Sequence, residues 1–245
     1  MLEYPPVAGE FETIRKLLDG FSIARFGDGE LKVMDKHVYV RESLPVPKLA
    51  EALKRIAQAP LARCLIGIPT LDPAGDRYEN WDHYYRHRLL RYFHSKTGVT
   101  YWSAFITRPD CGTQWLDTRE YYELVIQLWQ GKQRVAVVSE ANSKLLAYLR
   151  DAVPRVTHVE CPMYGAYAEI ERLEREVLDA SPDLTVLSAG PTATVLAHRL
   201  TKHGLQTLDL GSMGGFLMRW RDGGPRPVTR DDYAAERLNG SEAHA

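Results

Sequence analysis

Short, nearly continuous apolar runs alternate along the chain with longer stretches in which apolar residues recur every three or four positions. Continuous apolar runs are typical of parallel strands that are buried on both faces of a sheet. The runs that predict strands are Phe21–Phe26, Arg63–Ile68, Tyr101–Ile106, Arg134–Ser139, Val156–Glu160, Leu184–Ser188 and Gln206–Leu210. Their alternation with helical stretches predicts an α/β fold, with a mainly parallel sheet and helices on both faces.

The longer stretches predict amphipathic helices, because their apolar positions fall on one helical face. Two such faces consist of Tyr121, Val125 and Leu128, and of Ile170, Leu173 and Val177. A helix is also predicted over Pro191–His203, with Pro191 in its first turn and Gly204 just beyond its end, positions that these residues prefer. The aromatic-, His- and Arg-rich segment Asp72–Lys96 predicts a polar loop followed by another amphipathic helix.

The 245 residues show no internal repeat and no clear linker, so we expect one main domain. Its predicted bounds are 21–220, preceded by a helical lead-in over 1–20 and followed by a tail over 221–245. The tail is rich in Gly, Pro and charged residues, a composition that is typical of mobile segments.

Composition and charge exclude several classes of protein. A formal net charge of -1 gives no general attraction to nucleic acid or anionic membranes. The sequence lacks a bilayer-spanning apolar stretch and the basic and apolar regions of a signal peptide. The three cysteines, Cys64, Cys111 and Cys161, are far apart and match neither a disulfide framework nor a zinc site. These features predict a cytoplasmic protein in a reducing compartment.

Two carboxylates follow the first predicted strand, in the segment Arg25-Phe26-Gly27-Asp28-Gly29-Glu30. In an extended chain Asp28 and Glu30 project to the same side, where like charges repel unless a cation lies between them. Mg²⁺ and Mn²⁺ prefer such oxygen ligands. Gly27 and Gly29 let the backbone turn sharply and approach a ligand. The alternative interpretation is a polar turn that ends the strand.

Ligands of open parallel sheets bind beyond the carboxyl ends of the strands, where most of the polar and Gly-containing loops fall here. Carboxylates in these loops, Asp110, Glu140 and Asp209, are candidate bases by position alone. The residues predicted to bind a nucleotide ligand at this edge are Arg25, Gly27, Gly29, Arg108, Ser139, Gly190, Pro191, Thr192 and Ser212.

Phosphate recognition is predicted at the turn Gly190-Pro191-Thr192, because the start of a helix offers free N–H groups and positive potential. The turn also has a purely structural interpretation, as a tight strand-to-helix connection. Arg25 and Arg108 are suited to hold a diphosphate through forked hydrogen bonds. An ion pair with a carboxylate such as Asp28 would equally satisfy Arg25.

Histidines and aromatic residues in the segment Asp72–Lys96 carry weaker signals. His83, His87 and His94 have helical spacing, and His83 and His87 can form an i, i+4 zinc pair. No third ligand is evident, so we interpret this face as solvated or as an acceptor-binding wall. Aromatic residues that either stack on an acceptor sugar or pack in the core are Trp81, Tyr84, Tyr85 and Trp102.

Four sequence blocks together are similar to one known family. They are Ser22–Leu31, Leu65–Pro69, Phe105–Pro109, and Ala189–Ala197 continuing through Gly204 to Asp209-Leu210-Gly211. In order and spacing, over about Phe21 to Trp220, they resemble the GT-D-fold glycosyltransferase domain of bacterial glycan and glycoprotein assembly.

This resemblance implies a Rossmann-like sheet and a sugar-nucleotide donor, with a UDP-sugar favoured, and a glycan or glycoconjugate acceptor. It implies Mn²⁺ or Mg²⁺ held by Asp28 and Glu30. Related domains usually carry His after the Asp-x-Gly of the last block, where this chain has Ser212. We therefore expect Ser212 at the donor site in a minor role, with any charge-stabilising duty moved to Arg108 or a nearby His.

Two other functions use the same residues. A metal-dependent nucleotidyl- or phosphotransferase would employ the same carboxylate pair. A nucleotide-sugar-binding module without catalysis would account for Ser212, although the intact Asp28 and Glu30 argue against it.

Overall fold

The computed structural model describes residues 3–36, 46–59, 61–71, 87–94, 99–110 and 118–223. Within these residues the chain forms one eight-stranded sheet with strand order β1-β4-β3-β2-β8-β7-β5-β6. The strands are β1 Val7–Ala8, β2 Ser22–Arg25, β3 Cys64–Ile68, β4 Tyr101–Ser103, β5 Arg134–Ser139, β6 Arg155–Glu160, β7 Leu184–Ser188 and β8 Thr207–Asp209. Every pairing between these strands is parallel, which confirms the predicted α/β class.

Helices cover both faces of the sheet because neighbouring strand residues point to opposite sides. The helices that have both ends within the described residues are α1 Glu10–Leu18, α2 Asp28–Lys36, α3 Pro47–Gln58, α4 Arg119–Ile126, α5 Lys144–Ala152, α6 Ile170–Ala180, α7 Pro191–Lys202 and α8 Gly214–Arg221. The core under α2, α3, α6 and α7 includes Ala24 and Ile66. The core under α1, α4, α5 and α8 includes Ile23 and Leu65, which precede Ala24 and Ile66 in the chain.

The predicted helical faces are buried as expected. Tyr121, Val125 and Leu128, and Ile170, Leu173 and Val177, all belong to the core. The helix predicted over Pro191–His203 is α7, one residue shorter, and Gly204 follows it at a φ of +82°. A further helical segment spans 87–92, so only the end of the predicted Asp72–Lys96 helix lies within the described residues.

One strand prediction needs correction, and one strand was missed. The run Tyr101–Ile106 is a strand only to Ser103, and Ala104–Thr107 form a 3₁₀ turn. The Ser103 hydroxyl accepts a hydrogen bond from the Phe105 N–H, which bends the chain out of the sheet. Strand β1 was not predicted at all, because two residues are too few to show a pattern. It pairs with β4, so part of the expected lead-in belongs to the sheet.

The remaining predictions concern the cysteines, the C-terminal tail and membrane-spanning segments. Cys64 and Cys161 are buried, whereas Cys111 lies outside the described residues. The tail beyond Gly223 also lies outside them. Among the helices of the described residues, none has the length and apolarity needed to cross a membrane.

Candidate functional site

The order in which the chain adds strands to the sheet reverses at the β2–β8 pair. From β2 the chain builds outward through β3 and β4, whereas β8 borders the half formed by β7, β5 and β6. Such a switch point leaves a crevice beyond the carboxyl ends of the strands. Most of the residues predicted for the site line two adjacent clefts along this edge.

The carboxylate cleft has a volume of about 220 Å³. It lies beyond β2, β3, β4 and β8. Its lining residues are Arg25, Phe26, Gly27, Asp28, Gly29, Glu30, Pro69, Ala104, Phe105, Thr107, Arg108, Gly190, Pro191, Asp209, Gly211 and Ser212. The predicted site residues that follow the first strand therefore share one cavity with the start of α7.

The glycine-rich cleft has a volume of about 480 Å³ and lies beyond β5, β7 and β8. Its lining residues are Arg108, Glu140, Asn142, Ser143, Lys144, Leu145, Ser188, Gly190, Gly211, Ser212, Gly214, Gly215 and Phe216. It shares Arg108, Gly190, Gly211 and Ser212 with the carboxylate cleft. The two clefts are thus neighbours, separated by these shared residues.

The extended conformation expected for Asp28 and Glu30 is wrong, because both lie in the first turn of α2. Helical residues two positions apart do not face each other. The Asp28 side chain is about half exposed and forms an ion pair with Lys32, with an N–O distance of 2.7 Å. Both carboxylates nevertheless line the carboxylate cleft.

Glu30 also has a structural role at the start of α2. Its Oε2 accepts a hydrogen bond from the Gly27 N–H at 2.6 Å, and the Leu31 N–H donates to the Gly27 carbonyl. This is half of a capping box, in which the third helical residue reaches back to the N-cap. Burial, with a further contribution from the nearby Asp209 carboxylate, raises the pKa of Glu30 to about 7.

Arg25 is tied to the protein on several sides. Its Nε donates to the Asp209 carbonyl at 2.6 Å, and its guanidinium forms a 3.2 Å ion pair with the Asp209 carboxylate. The same guanidinium donates to the Ala104 carbonyl and the Thr107 hydroxyl, at 3.1 and 2.7 Å. The carboxylate partner of Arg25 is therefore Asp209, and the Asp28 pairing considered from the sequence is wrong. Burial raises the pKa of Asp209, while Arg25 opposes that shift.

Gly211 makes room for this arginine. A Cβ at position 211 would lie 2.5 Å from a terminal nitrogen of Arg25, and Gly211 has a φ of +49°. Side chains rarely tolerate that backbone region. The glycine therefore lets β8 continue into the 3₁₀ turn Gly211–Met213 while the guanidinium crosses beside it.

Arg108 and Asp110 form a second preformed pair. Arg108 donates through Nε and a terminal nitrogen to both carboxylate oxygens of Asp110, at 2.8 and 2.7 Å. The Asp110 side chain is buried, while that of Arg108 is about one-third exposed and lines both clefts. Asp110 itself is absent from the linings of both clefts, so its oxygens serve Arg108.

The turn before α7 has the backbone geometry of a tight strand-to-helix connection. Gly190 lines both clefts with a φ of 53° and a ψ of -146°, a conformation that favours glycine. Pro191 begins the helix, and no acidic residue lies in its first turn. Thr192 is buried and lines neither the carboxylate cleft nor the glycine-rich cleft.

The other predicted residues divide between cleft and core. Ser212 lines both clefts, and Glu140 lines the glycine-rich one. Ser139 is fully buried, and its hydroxyl donates to the Glu140 carbonyl. Its side chain therefore lies away from both clefts. Trp102 packs against the core, as the structural interpretation of the aromatic residues expects.

His87 lies in the helical segment 87–92, and His94 follows it. His83 lies outside the described residues, and so do Trp81, Tyr84 and Tyr85. The zinc pair and the acceptor wall considered from the sequence therefore fall largely on residues whose structure is not described.

Sequence reasoning missed several residues of the site. The Thr194 hydroxyl donates to the Arg25 carbonyl at 2.7 Å and so fixes α7 against β2. The Thr107 hydroxyl accepts a hydrogen bond from the Arg25 guanidinium. Lys144 lines the glycine-rich cleft. At Gly214 an added Cβ would lie 2.2 Å from the Leu145 backbone nitrogen, so α8 begins directly against α5. The pair Gly214-Gly215 was the available signal for a close approach.

Comparison with known proteins identifies the family. The model of the family described as "Glycosyltransferase GT-D fold" matches residues 23–218, most of the chain. The chain belongs to the GT-D-fold glycosyltransferase family. The match agrees with the resemblance of the four blocks and includes the residues that line both clefts.

Curated relatives of this GT-D domain are glycosyltransferases of streptococci. A probable glycosyl transferase, Gly, of Streptococcus gordonii is 26% identical over 205 residues, which cover 78% of this chain and 29% of that protein. The glycosyltransferase GlyD of Streptococcus pneumoniae is 26% identical over 230 residues, which cover 86% of this chain and 28% of that protein. The GT-D domain thus spans under a third of the length of these relatives.

Solved structures share the fold. A structure of domain of unknown function 1792, described as having a distinct glycosyltransferase fold, superposes with a TM-score of 0.75 at 27% identity. The superposition covers 91% of this chain and 84% of the chain in that structure. A Streptococcus sanguinis protein described as a new glycosyltransferase gives the same TM-score at 23% identity, covering 91% and 88%. The GT-D architecture is therefore shared over nearly the whole chain.

Proposed function

We propose that this GT-D domain transfers a sugar from a nucleoside diphosphate sugar, with a UDP-sugar favoured, to a hydroxyl of a glycan or glycoconjugate. The observation that carries the proposal is the convergence of Asp28, Glu30 and the start of α7 on one cleft at the sheet's switch point. Family membership supports the reaction class.

The donor set of the carboxylate cleft fits Mn²⁺ or Mg²⁺. Burial and, to a lesser extent, repulsion by the Asp209 carboxylate raise the pKa of Glu30, and a cation there would offset both by favouring the charged carboxylate. Among the described residues, no cluster of three or more His, Cys, Asp or Glu side chains is arranged to hold a metal ion. A divalent ion at Glu30 and Asp28 would therefore complete its coordination with water and donor phosphates, as Mg²⁺ commonly does.

When bound, the metal would neutralise negative charge on the departing diphosphate. The protein's own groups contribute beside it. The start of α7 at Gly190 and Pro191 offers positive potential to phosphate, and Arg108 faces both clefts. Arg25 holds Asp209 and the 3₁₀ turn after β4 in place, which makes it a positioning residue in this proposal.

The acceptor hydroxyl must lose its proton. Of the three candidate bases, Asp110 is held by Arg108 and Asp209 by Arg25. Of the three, Glu140 is the one that lines the glycine-rich cleft, and for this position we favour it as the base of an inverting reaction.

A donor screen with Mn²⁺ tests this function. We expect release of a nucleoside diphosphate, with a loss of about a hundredfold or more in turnover for Asp28→Asn or Glu30→Gln. Glu30→Gln keeps an oxygen for the Gly27 N–H, so the fold should persist. Asp19→Asn is the matched control, because Asp19 is an exposed aspartate that pairs with Lys16 as Asp28 pairs with Lys32.

Full activity of Asp28→Asn or Glu30→Gln in excess chelator would contradict the metal assignment. Transfer of a nucleotidyl or phosphoryl group without release of a nucleoside diphosphate would favour the second enzyme class. Binding of a nucleotide sugar without turnover of any acceptor would favour the non-catalytic module.

Ser212 is assigned a minor role within this function. It lines both clefts, but a hydroxyl supplies neither a cation nor a proton shuttle near pH 7. Ser212→Ala should reduce turnover far less than Asp28→Asn does. Equal losses in the two variants, measured in the same donor assay, would contradict this assignment.

A further inference from the structure

The cations that line the two clefts are unequally engaged. Among the described lining residues they are Arg25, Arg108 and Lys144. Arg25 is paired with Asp209 and Arg108 with Asp110, so each guanidinium already has a carboxylate partner. In the described part of the chain Lys144 has no ion pair. A dianionic ligand in the glycine-rich cleft would therefore meet one uncommitted positive charge, that of Lys144.

Lys144 lies at a helix end where a positive charge is generally unfavourable. It is the first residue of α5, whose first turn contains no acidic residue. A cation at the amino end of a helix is repelled by the helix dipole, so acidic residues are normally favoured there. Ser143 caps the helix by accepting a hydrogen bond from the Leu146 N–H, which leaves the local structure complete without the lysine charge. A residue that opposes a local rule at a cleft is a candidate for function.

The start of α8 keeps this lysine beside the cleft. Gly214 allows α8 to begin against the backbone of Leu145, and the Lys144 Cδ lies 4.0 Å from where a Cβ on Gly215 would be. The aliphatic part of the side chain thus runs along the first turn of α8. Ser212, just before α8, lines the same cleft and supplies a hydroxyl but no charge.

We propose that Lys144 binds the diphosphate of the donor and supplies the positive charge that Ser212 cannot. The proposal rests on the proposed function, since it assumes a nucleoside diphosphate ligand. The lysine ammonium would donate charge-assisted hydrogen bonds to phosphate oxygens. The helix start at Gly190, which lines the same cleft, would contribute backbone potential to the same anion.

Calorimetric titration of the whole chain with UDP, in buffer containing Mn²⁺, tests this assignment. Lys144→Met should weaken UDP binding by about tenfold or more, because a charge-assisted hydrogen bond is lost. Lys144→Arg should retain most of the affinity. The affinity of Lys144→Met should also depend less on ionic strength than that of the wild type.

Lys48→Met is the matched control. Lys48 is also an exposed lysine in the first turn of a helix that lacks acidic residues there, but it lines neither cleft. The Lys48→Met variant should bind UDP like the wild type. Thermal melts monitored by circular dichroism should give Lys144→Met a melting temperature at least equal to that of the wild type, because the unfavourable charge at the helix start is gone.

The outcomes separate the two proposals. If the wild type binds UDP and Lys144→Met binds it equally well, the lysine assignment is overturned and the proposed function stands. Equal losses in Lys144→Met and Lys48→Met would indicate a general charge effect and also overturn the assignment. If the wild type binds neither UDP, GDP nor inorganic pyrophosphate, both proposals fail.

Discussion

Replacement of Gly211 by alanine should destabilise the protein through two separable effects. The first is backbone strain, since a φ of +49° costs an alanine about 1 kcal/mol. The second is displacement of Arg25, because the new Cβ would lie 2.5 Å from its terminal nitrogen. That nitrogen forms the 3.2 Å ion pair with Asp209, and losing a charged hydrogen bond costs about 2 kcal/mol. We therefore expect Gly211→Ala to cost about 3 kcal/mol in all.

Gly204→Ala is the matched control for strain. Gly204 has a φ of +82°, and an added Cβ would meet no atom within 4 Å. It should therefore cost only about 1 kcal/mol. Equilibrium urea denaturation, followed by tryptophan fluorescence and circular dichroism, gives both free energies of unfolding.

An Arg25→Lys background tests the cause directly. Lysine has no guanidinium nitrogen at the contested position, so Gly211→Ala should cost no more there than Gly204→Ala does. Equal costs for Gly211→Ala and Gly204→Ala in the wild-type background would refute the proposed clash. A large cost for Gly211→Ala that persists in the Arg25→Lys background would place the strain elsewhere.

Two further predictions concern α7. Thr194→Val should lower the free energy of unfolding by about 1 to 2 kcal/mol, because it leaves the Arg25 carbonyl without its donor. Thr201→Val removes a hydroxyl that donates to the Ala197 carbonyl within the same helix, and it should cost less in the same urea titration. Burial and the nearby Lys202 lower the pKa of His198 from 6.5 to about 4. The unfolded chain therefore binds more protons in that window, and His198 reduces stability as the pH falls from about 6.5 to 4. His198→Gln should flatten this part of the melting temperature's dependence on pH, and parallel curves for the two proteins would contradict the assignment.

The sheet could be predicted from the sequence because its strands are buried. Arg134–Ser139 and Leu184–Ser188 are observed with the predicted bounds, since continuous apolar runs indicate parallel strands. Strand β1 could not be predicted, because its pairing with β4 depends on tertiary contacts rather than on a local pattern. Ser103 ended β4 early through a side-chain hydrogen bond that apolar patterning does not register.

The candidate site was predictable in position but not in its contacts. The rule that ligands bind at a switch point predicts that the loops after β2 and β8 contribute to the same site. The pairing of Arg25 with Asp209, in contrast, depends on the order of the strands in the sheet. The extended conformation expected for Asp28 was wrong because the expectation did not take Gly27-x-x-Glu30 as the start of a helix. A glycine N-cap followed by Glu at the third helical position was the signal that favoured one.

The pairing of β2 with β8 also determines when the site can form during protein synthesis. Arg25 and Asp209 are 184 residues apart in the chain, and they are neighbours at the centre of the sheet. At typical rates of translation the ribosome needs about 10 to 40 s to make that interval. Throughout this period the edge of β2 that pairs with β8 stays unpaired, while β3 and β4 are made and can join the other side. A nascent chain arrested before β8 should therefore expose that edge, and pulse proteolysis of arrested chains would detect the moment at which β8 closes it.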